Sequence, residues 1–502
     1  MSARLRGPPH ASRRIAVALL TVCDISSALY SDVDMTESLQ QGNGNTISSW
    51  CAYVAQEVTG MSVGELERET MRRVTGRLMP LIVVCYIVAY IDRSNVSVAA
   101  LSMNEAIGLT AAQFGLGVSM FFVTYVIFEI PSNVVLARIG ARRWIARIMI
   151  SWGIVSACMA LVQGEKSFII VRLLLGAAEA GFTPGIIWYL ARWFPASHRG
   201  RAMGRFYVGA ALATVIGAPI SGFIMKMDGF LDVAGWQWLF VVEGLPAVVL
   251  GFVVLRFLTD EPREAAWLPE RGRTWLVERL AREQAEIDGQ RAISVRQALT
   301  SPGVLLLALF FFLYSFNSIG LTLWMPQVIQ GGFGEPSDFV TALLTAVPYA
   351  LAVVAMVLVA RGVDRRGRHA LHMAVPMAAS GVMLVGSVLA GPGVLGFALL
   401  ALSTGAAWSA VPALWGSATS FMTGVAAAAG VALINSVANI AGLAVTPLIG
   451  VVKEATGSFD APLLVIAGAM FLAAAVAMAS GPFTAPGRLA AETAAKAERD
   501  PA

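Results

Sequence analysis

Charge is what this 502-residue chain lacks. Asp, Glu, Lys and Arg make up 14% of it, against about a quarter in a soluble domain. The deficit is concentrated: the 84 residues from His369 to Val452 contain none of the four. That is room for three or four membrane crossings at about 20 residues each. A surface so poor in charge excludes a soluble enzyme, a nucleic-acid-binding protein and a disordered scaffold. Cysteine is also scarce. Of the four, Cys23, Cys51, Cys85 and Cys158, the last two fall inside apolar segments. No CxxC or Cys/His spacing occurs, so the pattern supports neither a disulfide framework nor a metal site. The four histidines, His10, His198, His369 and His372, pair with no carboxylate at a metal-binding spacing. No metal and no cofactor are expected. The net charge of +4 (36 basic minus 32 acidic) says less than the position of the basic residues.

Apolar residues make up 57% of the chain, and they come in long runs. Twelve transmembrane helices are predicted, at 79–101, 114–135, 144–163, 167–190, 203–225, 237–258, 303–328, 339–360, 370–390, 394–413, 424–451 and 461–481. Each is long enough for a hydrocarbon core of roughly 30 Å. The runs are continuously apolar rather than alternating, which selects helices over barrel strands. Arginine sets the orientation. Arg138, Arg142, Arg143 and Arg147 follow helix 2; Arg192, Arg199, Arg201 and Arg205 follow helix 4; Arg361, Arg365, Arg366 and Arg368 follow helix 8. The opposite side has Lys166, Lys226 and Lys453. A multi-pass protein of the cell (inner) membrane with both termini cytoplasmic is expected.

Five regions follow. Residues 1–76 mix Ser, Gly, Asn and Thr with scattered charge and read as a disordered extension, or as a stretch ahead of a start at Met61 or Met71. IAVALLTVC (15–23) has the look of a signal-peptide apolar region but is too short to span. Residues 77–258 form the N-terminal six-helix bundle. Residues 259–301 form a linker with an amphipathic pattern, TWLVERLAREQAEI (274–287). Residues 302–482 form the C-terminal six-helix bundle, and 483–502 a cytoplasmic tail. GPGVLG (391–396) matches a nucleotide-loop pattern, but it joins two membrane helices, follows no strand and reads as a turn.

The halves repeat each other. LARIGARR (136–143) recurs as VDRRGRH (363–369), aligning Arg138 with Arg365 and Gly140 with Gly367 at an offset of 227. GAAEAGFTP (176–184) recurs as GAAWSAVP (405–412), and Pro219-Ile-Ser-Gly222 as Pro447-Leu-Ile-Gly450, at offsets of 228–229. Two pseudo-equivalent bundles imply a substrate path between them and alternating access by rocking.

This all-α, 6+6 plan resembles the major facilitator superfamily. Its loop pattern G-x-x-x-D-R-x-G-R-R is matched after helix 8 by Asp364, Arg365, Gly367 and Arg368. After helix 2 it is matched by Arg138, Gly140 and Arg142, with Ala137 where an acid belongs. YIDRSNVSVA (90–99), FEIPSNVVLARIGARRWIARIMISWG (128–153) and RLLLGAAEAGFTPGIIWYLARWF (172–194) resemble the anion:cation symporter family, over about 62–482.

Charges at membrane depth cost a few kcal/mol and usually face a cavity or a partner. Asp92, Arg93, Glu129, Arg172, Glu179 and Glu243 are the candidates, all in the first half. At 1.5 Å per residue Asp92 lies about 20 Å above the inner end, Arg172 about 22 Å and Glu179 about 12 Å. Two arginines in a dry cavity suit an organic anion, because guanidinium binds carboxylate bidentately. Desolvation penalises a charged carboxyl, so an acid at this depth can load and release a proton. Asp92 and Glu179 are the expected proton-coupling pair. Glu129 is expected to cap or pair with the arginine-rich loop, and Glu243 to be structural. Trp188, Trp193, Trp236 and Trp238 are expected in the interfacial belt. The second half offers amides and hydroxyls: Asn317, Ser409, Asn435 and Asn439.

The resemblance assigns the same pairs, Asp92–Arg93 and Arg172/Glu179, to the site. It adds Tyr90 and Tyr125 as lining residues and Asn435 from the second half. It implies a secondary active transporter, not an enzyme: proton symport of a small carboxylate anion (tartrate, a sugar acid or phthalate-like) into the cell. The expected partners are the carboxylate, protons and the lipid bilayer, with no nucleic acid, and the chain is expected to act as a monomer. The alternatives are a proton antiporter exporting amphipathic compounds and a transporter-like sensor.

Overall fold

The computed structural model describes residues 62–289, 299–332, 334, 336–421 and 424–484. Of the predicted extension 1–76, residues 1–61 lie outside the described residues, as do the end of the linker and the tail from 485; residues 63–76, expected to be disordered, form the start of the helix Val63–Ala106. The described chain forms two compact units. In the smaller, residues 62–76 lie with Ala265–Glu278. Met71, Val74, Leu268 and Leu276 are buried there. The larger comprises Arg77–Glu264 and the chain from Arg279 onward.

All the described regular structure is helical. In the first half the helices are α1 (Val63–Ala106), α2 (Ala111–Ile139), α3 (Ala141–Cys158), α4 (Glu165–Glu179), α5 (Phe182–Trp193), α6 (Ala196–Met225) and α7 (Gly235–Phe257). The linker contributes α8 (Glu270–Gly289). The second half has α9 (Pro302–Ser315), α10 (Thr322–Gly332), α11 (Asp338–Arg366), α12 (His369–Ala390), α13 (Val394–Ser409), α14 (Val411–Phe421), α15 (Gly424–Thr456) and α16 (Asp460–Ser480). Eleven described helical spans are long and apolar enough to cross a membrane. The remaining member of the set is α6, whose apolar stretch Leu212–Met225 follows an arginine-rich first half. The result is the multi-pass, all-α architecture that the hydropathy predicts.

Three predicted spans are not plain α-helices. Helix 4 divides into α4 and α5. Gly181 sits between them at φ 87°, a left-handed conformation that suits glycine, and the Ala180 carbonyl accepts from Ser132 Oγ at 2.7 Å. Helix 10 divides into α13 and α14 at Ala410. These breaks fall in the repeated segments GAAEAGFTP and GAAWSAVP, so the repeat extends to the interruption itself. Helix 7 passes through a π-helical stretch, Phe316–Leu321, between α9 and α10. A π turn widens the helix and often marks a functional site. The repeated glycines of the loop motif both end a helix with positive φ, Gly140 at 99° after α2 and Gly367 at 59° after α11. GPGVLG opens on a turn between α12 and α13, with Gly391 and Gly393 both at positive φ.

The face where α2 begins is here called distal, the one where it ends terminal. Contacts between the bundles concentrate toward the distal face. There, Gly115 of α2 lies against the Thr446–Pro447 backbone of α15, and Gly450 lies against Ala111. Glu454 accepts from the Ala112 amide at 2.9 Å. Gly222 of α6 lies against Phe339 and Ala342 of α11, and Phe114 meets Trp324 edge-on at 5.2 Å. Backbone contact of this kind needs small residues, and it brings the two bundles together toward the distal end.

Candidate functional site

Between the bundles lies a cavity of about 170 Å³. On the first-half side, α1 supplies Tyr86, Tyr90 and Arg93 on one helical face, spaced i, i+4 and i+7. From α2 come Phe121, Phe122 and Tyr125, and from α4 Arg172, Leu175 and Glu179. Gly176 brings α4 against Phe121 and Thr124, and Thr124 Oγ1 donates to the Leu173 carbonyl at 2.7 Å. That close approach is what sets Arg172 and Glu179, seven residues apart, beside the aromatic rings of α2.

The charges in the cavity are unevenly partnered. Arg93 Nε donates to Glu179 Oε1 at 2.5 Å. Its guanidinium also lies 5.0 Å from the Tyr125 ring centre and 5.6 Å from that of Phe121. Arg172 approaches the same Phe121 ring at 5.0 Å. It is only 3% exposed and its Nε is unpartnered. Its one described hydrogen bond is a long contact, 3.5 Å, to the Val118 carbonyl. No carboxylate within 4.0 Å pairs with it among the described residues. The cavity therefore presents one neutralised guanidinium and one that is open to an anion.

Asp92 is not in the cavity. It is buried toward α3, where Trp152 Nε1 donates to Oδ2 at 2.9 Å. Ser156 Oγ and, at 3.2 Å, Asn95 Nδ2 donate to Oδ1. The Asp92 carboxyl therefore faces α3, away from the cavity that Arg93 lines. The expected Asp92/Glu179 pair is thus divided between cavity wall and bundle core.

Glu129 also departs from expectation. It makes no pair with the arginine-rich loop among the described residues; it is buried at the bundle interface and accepts from Ser436 Oγ of α15 at 3.4 Å. The loop finds its acid elsewhere. The Arg142 amide donates to Asp260 Oδ1 at 2.7 Å, and its side chain lies 3.8 Å from Oδ2. Asp260, beyond the end of α7, is the acid that this loop meets among the described residues. Next to it, Glu261 pairs with Arg192, and the Thr259 carbonyl accepts from Tyr189 at 2.7 Å. Arg138 lies in the last turn of α2. Asp364 and Arg365 fall at the end of α11, and Arg368 precedes α12. The side chain of Asp364 is not among those described.

The second-half wall is mixed. Asn435 and Asn439 of α15 line the cavity, with Ser315, Ser318 and Thr322 from the helix 7 span. Asn317 and Ser409 do not line it. Asn317 is fully buried in the π turn, and Ser409 donates to the Ala406 carbonyl at 2.7 Å. Sequence reasoning missed the aromatic lining of Phe311, Tyr314, Trp408 and Trp415. Trp193 and Trp236, expected in the lipid belt, are buried within the bundle.

Residues 82–446 match the model of the Major Facilitator Superfamily. The chain belongs to that superfamily. Its architecture is that of a membrane transporter, not an enzyme. It is 45% identical over 417 residues to an Agrobacterium vitis protein named "Putative tartrate transporter", covering 83% of this chain and 92% of that one. It is 39% identical over 399 residues to an Acinetobacter baumannii protein named "Quinolone resistance transporter", covering 80% and 92%. Among solved structures it is similar to the inward-open xylose transporter XylE from E. coli, at 15% identity and a TM-score of 0.64, covering 80% and 95%. That likeness concerns the fold.

Proposed function

We propose that this major facilitator protein is a proton-coupled symporter of a small organic carboxylate, bringing tartrate, a sugar acid or a phthalate-like acid into the cell by alternating access. The observation that carries the reading is the buried Arg172 guanidinium, which lines the cavity with no carboxylate within 4.0 Å among the described residues. A substrate carboxylate supplies the missing acceptor through charge-assisted hydrogen bonds. Phe121 and Tyr125 frame the site, and Asn435 and Asn439 meet the rest of the substrate. The tartrate name of the Agrobacterium relative agrees with this chemistry.

Coupling follows from competition for Arg93. While Glu179 is ionised it occupies Arg93. Protonation of Glu179 releases that guanidinium, and a second charge-assisted contact to the substrate becomes available. Proton and anion then bind together, as symport requires. By the arginine distribution the distal face is extracellular, so the contacts of α2 with α15 and of α6 with α11 form the outer closure. The inner membrane is the expected location, with both termini cytoplasmic.

The Acinetobacter relative's name favours a second reading, proton antiport that exports an amphipathic compound. A cavity of about 170 Å³ is small for a drug-sized ligand, whose pockets run roughly 300–1,000 Å³. Uptake of a panel of labelled carboxylates and of a fluoroquinolone into right-side-out vesicles, with and without an inward proton gradient, separates the two. Carboxylate accumulation that needs the gradient supports symport. Gradient-driven exclusion of the fluoroquinolone, without carboxylate uptake, overturns it.

A further inference from the structure

The first bundle buries a carboxyl that the cavity does not use. Glu243 lies within α7 and is only 5% exposed. Its Oε1 is 2.6 Å from Ser221 Oγ of α6. Its Oε2 is buried without a hydrogen-bond partner among the described residues. Asp92 and Asn95 act on it from α1. Next to it, Gly244 packs on Gly153, Ser156 and Ala157 of α3. No lysine, arginine or histidine forms an ion pair with Glu243 among the described residues.

Donors around the two acids are shared unequally. Asp92 receives three, from Trp152, Ser156 and Asn95, donors that a carboxylate can accept, and Glu179 and Arg172 act on it from α4. Glu243 has one described hydrogen bond, from the Ser221 hydroxyl, and shares Asn95 with Asp92; the Ser221 hydroxyl has a competing acceptor, the Gly217 carbonyl at 2.9 Å. One hydroxyl proton cannot fully serve both. A proton on Glu243 resolves the conflict: the carboxyl O–H donates to Ser221 Oγ, and Ser221 donates to Gly217. An ionised Glu243 would lie buried, short of donors, without a cation and beside the charge of Asp92. Desolvation and like-charge repulsion both oppose that state.

We infer that Glu243 is a second proton-binding site in the core of the first bundle, outside the substrate cavity. The O–H bond at Glu243 forms when a proton is taken up from water and breaks when that proton returns to water. The inference rests on the proton-symport reading and extends it to a carboxyl that touches no substrate.

Glu243→Gln tests it, because the amide keeps the shape and a donor for Ser221 but removes the titratable proton. Vesicles are clamped at zero potential with a gradient of one pH unit. Each coupled proton then supports about tenfold accumulation, since one pH unit corresponds to 1.36 kcal/mol. The variant is expected to accumulate about tenfold less than wild type while counterflow exchange continues. Wild-type accumulation that responds to the gradient, with equal accumulation in the variant, overturns the inference and spares the symport reading. A wild type indifferent to the gradient overturns the symport reading itself. Infrared difference spectra of the purified protein then decide on Glu243: loss of a buried protonated-carboxyl band in Glu243→Gln supports the site, and an unchanged spectrum overturns it. If Glu243→Gln does not fold, Ser221→Ala leaves the acid in place. A shift of the same band supports the site, and an unmoved band overturns it.

Discussion

Arg93 and Glu179 meet at 2.5 Å across the gap between α1 and α4, and that contact makes Arg172 the open guanidinium of the cavity. Both arginines approach one ring, Phe121, and both line the same cavity. Their tasks differ. Arg172 is available at all times, whereas Arg93 is available only when Glu179 lets it go.

Arg172→Lys is therefore expected to be the more damaging of the two conservative replacements. Lysine keeps the charge but loses the planar fork, and each charge-assisted hydrogen bond is worth about 1.5–3 kcal/mol. Affinity for the carboxylate should fall roughly ten- to a hundredfold. Arg93→Lys should cost less in affinity and more in coupling. Uptake kinetics at matched expression measure both, and near-normal affinity in Arg172→Lys would sink the anion assignment.

Glu179→Gln fixes the released state. Arg93 loses its competitor, so substrate affinity should become insensitive to pH, and gradient-driven accumulation should disappear while counterflow remains measurable. The sign follows from the competition: in the wild type, raising the pH ionises Glu179 and takes Arg93 away from the substrate. A binding titration across pH in both proteins tests this, and a variant that keeps the wild-type pH dependence would remove Glu179 from the coupling.

Much of this arrangement can be read in the sequence, because bilayer and repeat are strong constraints. Hydropathy finds the spans, and the repeated GAAEAGFTP and GAAWSAVP mark where helices 4 and 10 break. The shared face of Tyr86, Tyr90 and Arg93 is also legible from their helical spacing, but the turn of Asp92 toward Trp152 and Ser156 is not, because the adjacent Arg93 and Ser94 both line the cavity. Partners across an interface were not accessible in this way. Depth along α2 puts Glu129 near the arginine-rich loop, but the residue opposite it is set by how α15 packs, and that gave Ser436. The buried positions of Trp193 and Trp236 have the same origin: an aromatic near a helix end faces lipid or protein according to its neighbours.

The distal closure depends on side chains that are not there. A Cβ on Gly115 would come within 2.5 Å of the Thr446 carbonyl. Gly115→Val should hold the bundles apart at that face, leaving the protein folded but biased toward the distally open state. The Glu454 carboxylate at the start of α2 adds to the same closure, so Glu454→Ala should bias it in the same direction, more weakly. Reactivity of a cysteine introduced at Ser318 toward a membrane-impermeant thiol reagent added from outside reads the bias, in a background with Cys23, Cys51, Cys85 and Cys158 replaced. Unchanged reactivity in Gly115→Val would show that this contact does not hold the closure.

The last prediction concerns the division between the bundles. The charges at the cavity, Arg93, Arg172 and Glu179, all come from the first half, whereas α15 contributes Asn435 and Asn439. The first half is then expected to bind the carboxylate and the proton, and the second half to read the remaining hydroxyls or ring. A neutral hydrogen bond is worth about 1 kcal/mol, so Asn435→Ala should weaken affinity about fivefold and change the ranking among tartrate, sugar acids and phthalate. The pH dependence of transport should stay as in the wild type, because Asn435 neither carries a proton nor contacts Arg93 or Glu179 among the described hydrogen bonds. Competition by unlabelled acids, repeated at several pH values, measures ranking and coupling together. A variant that keeps its ranking but loses its pH dependence would show that coupling runs through both bundles.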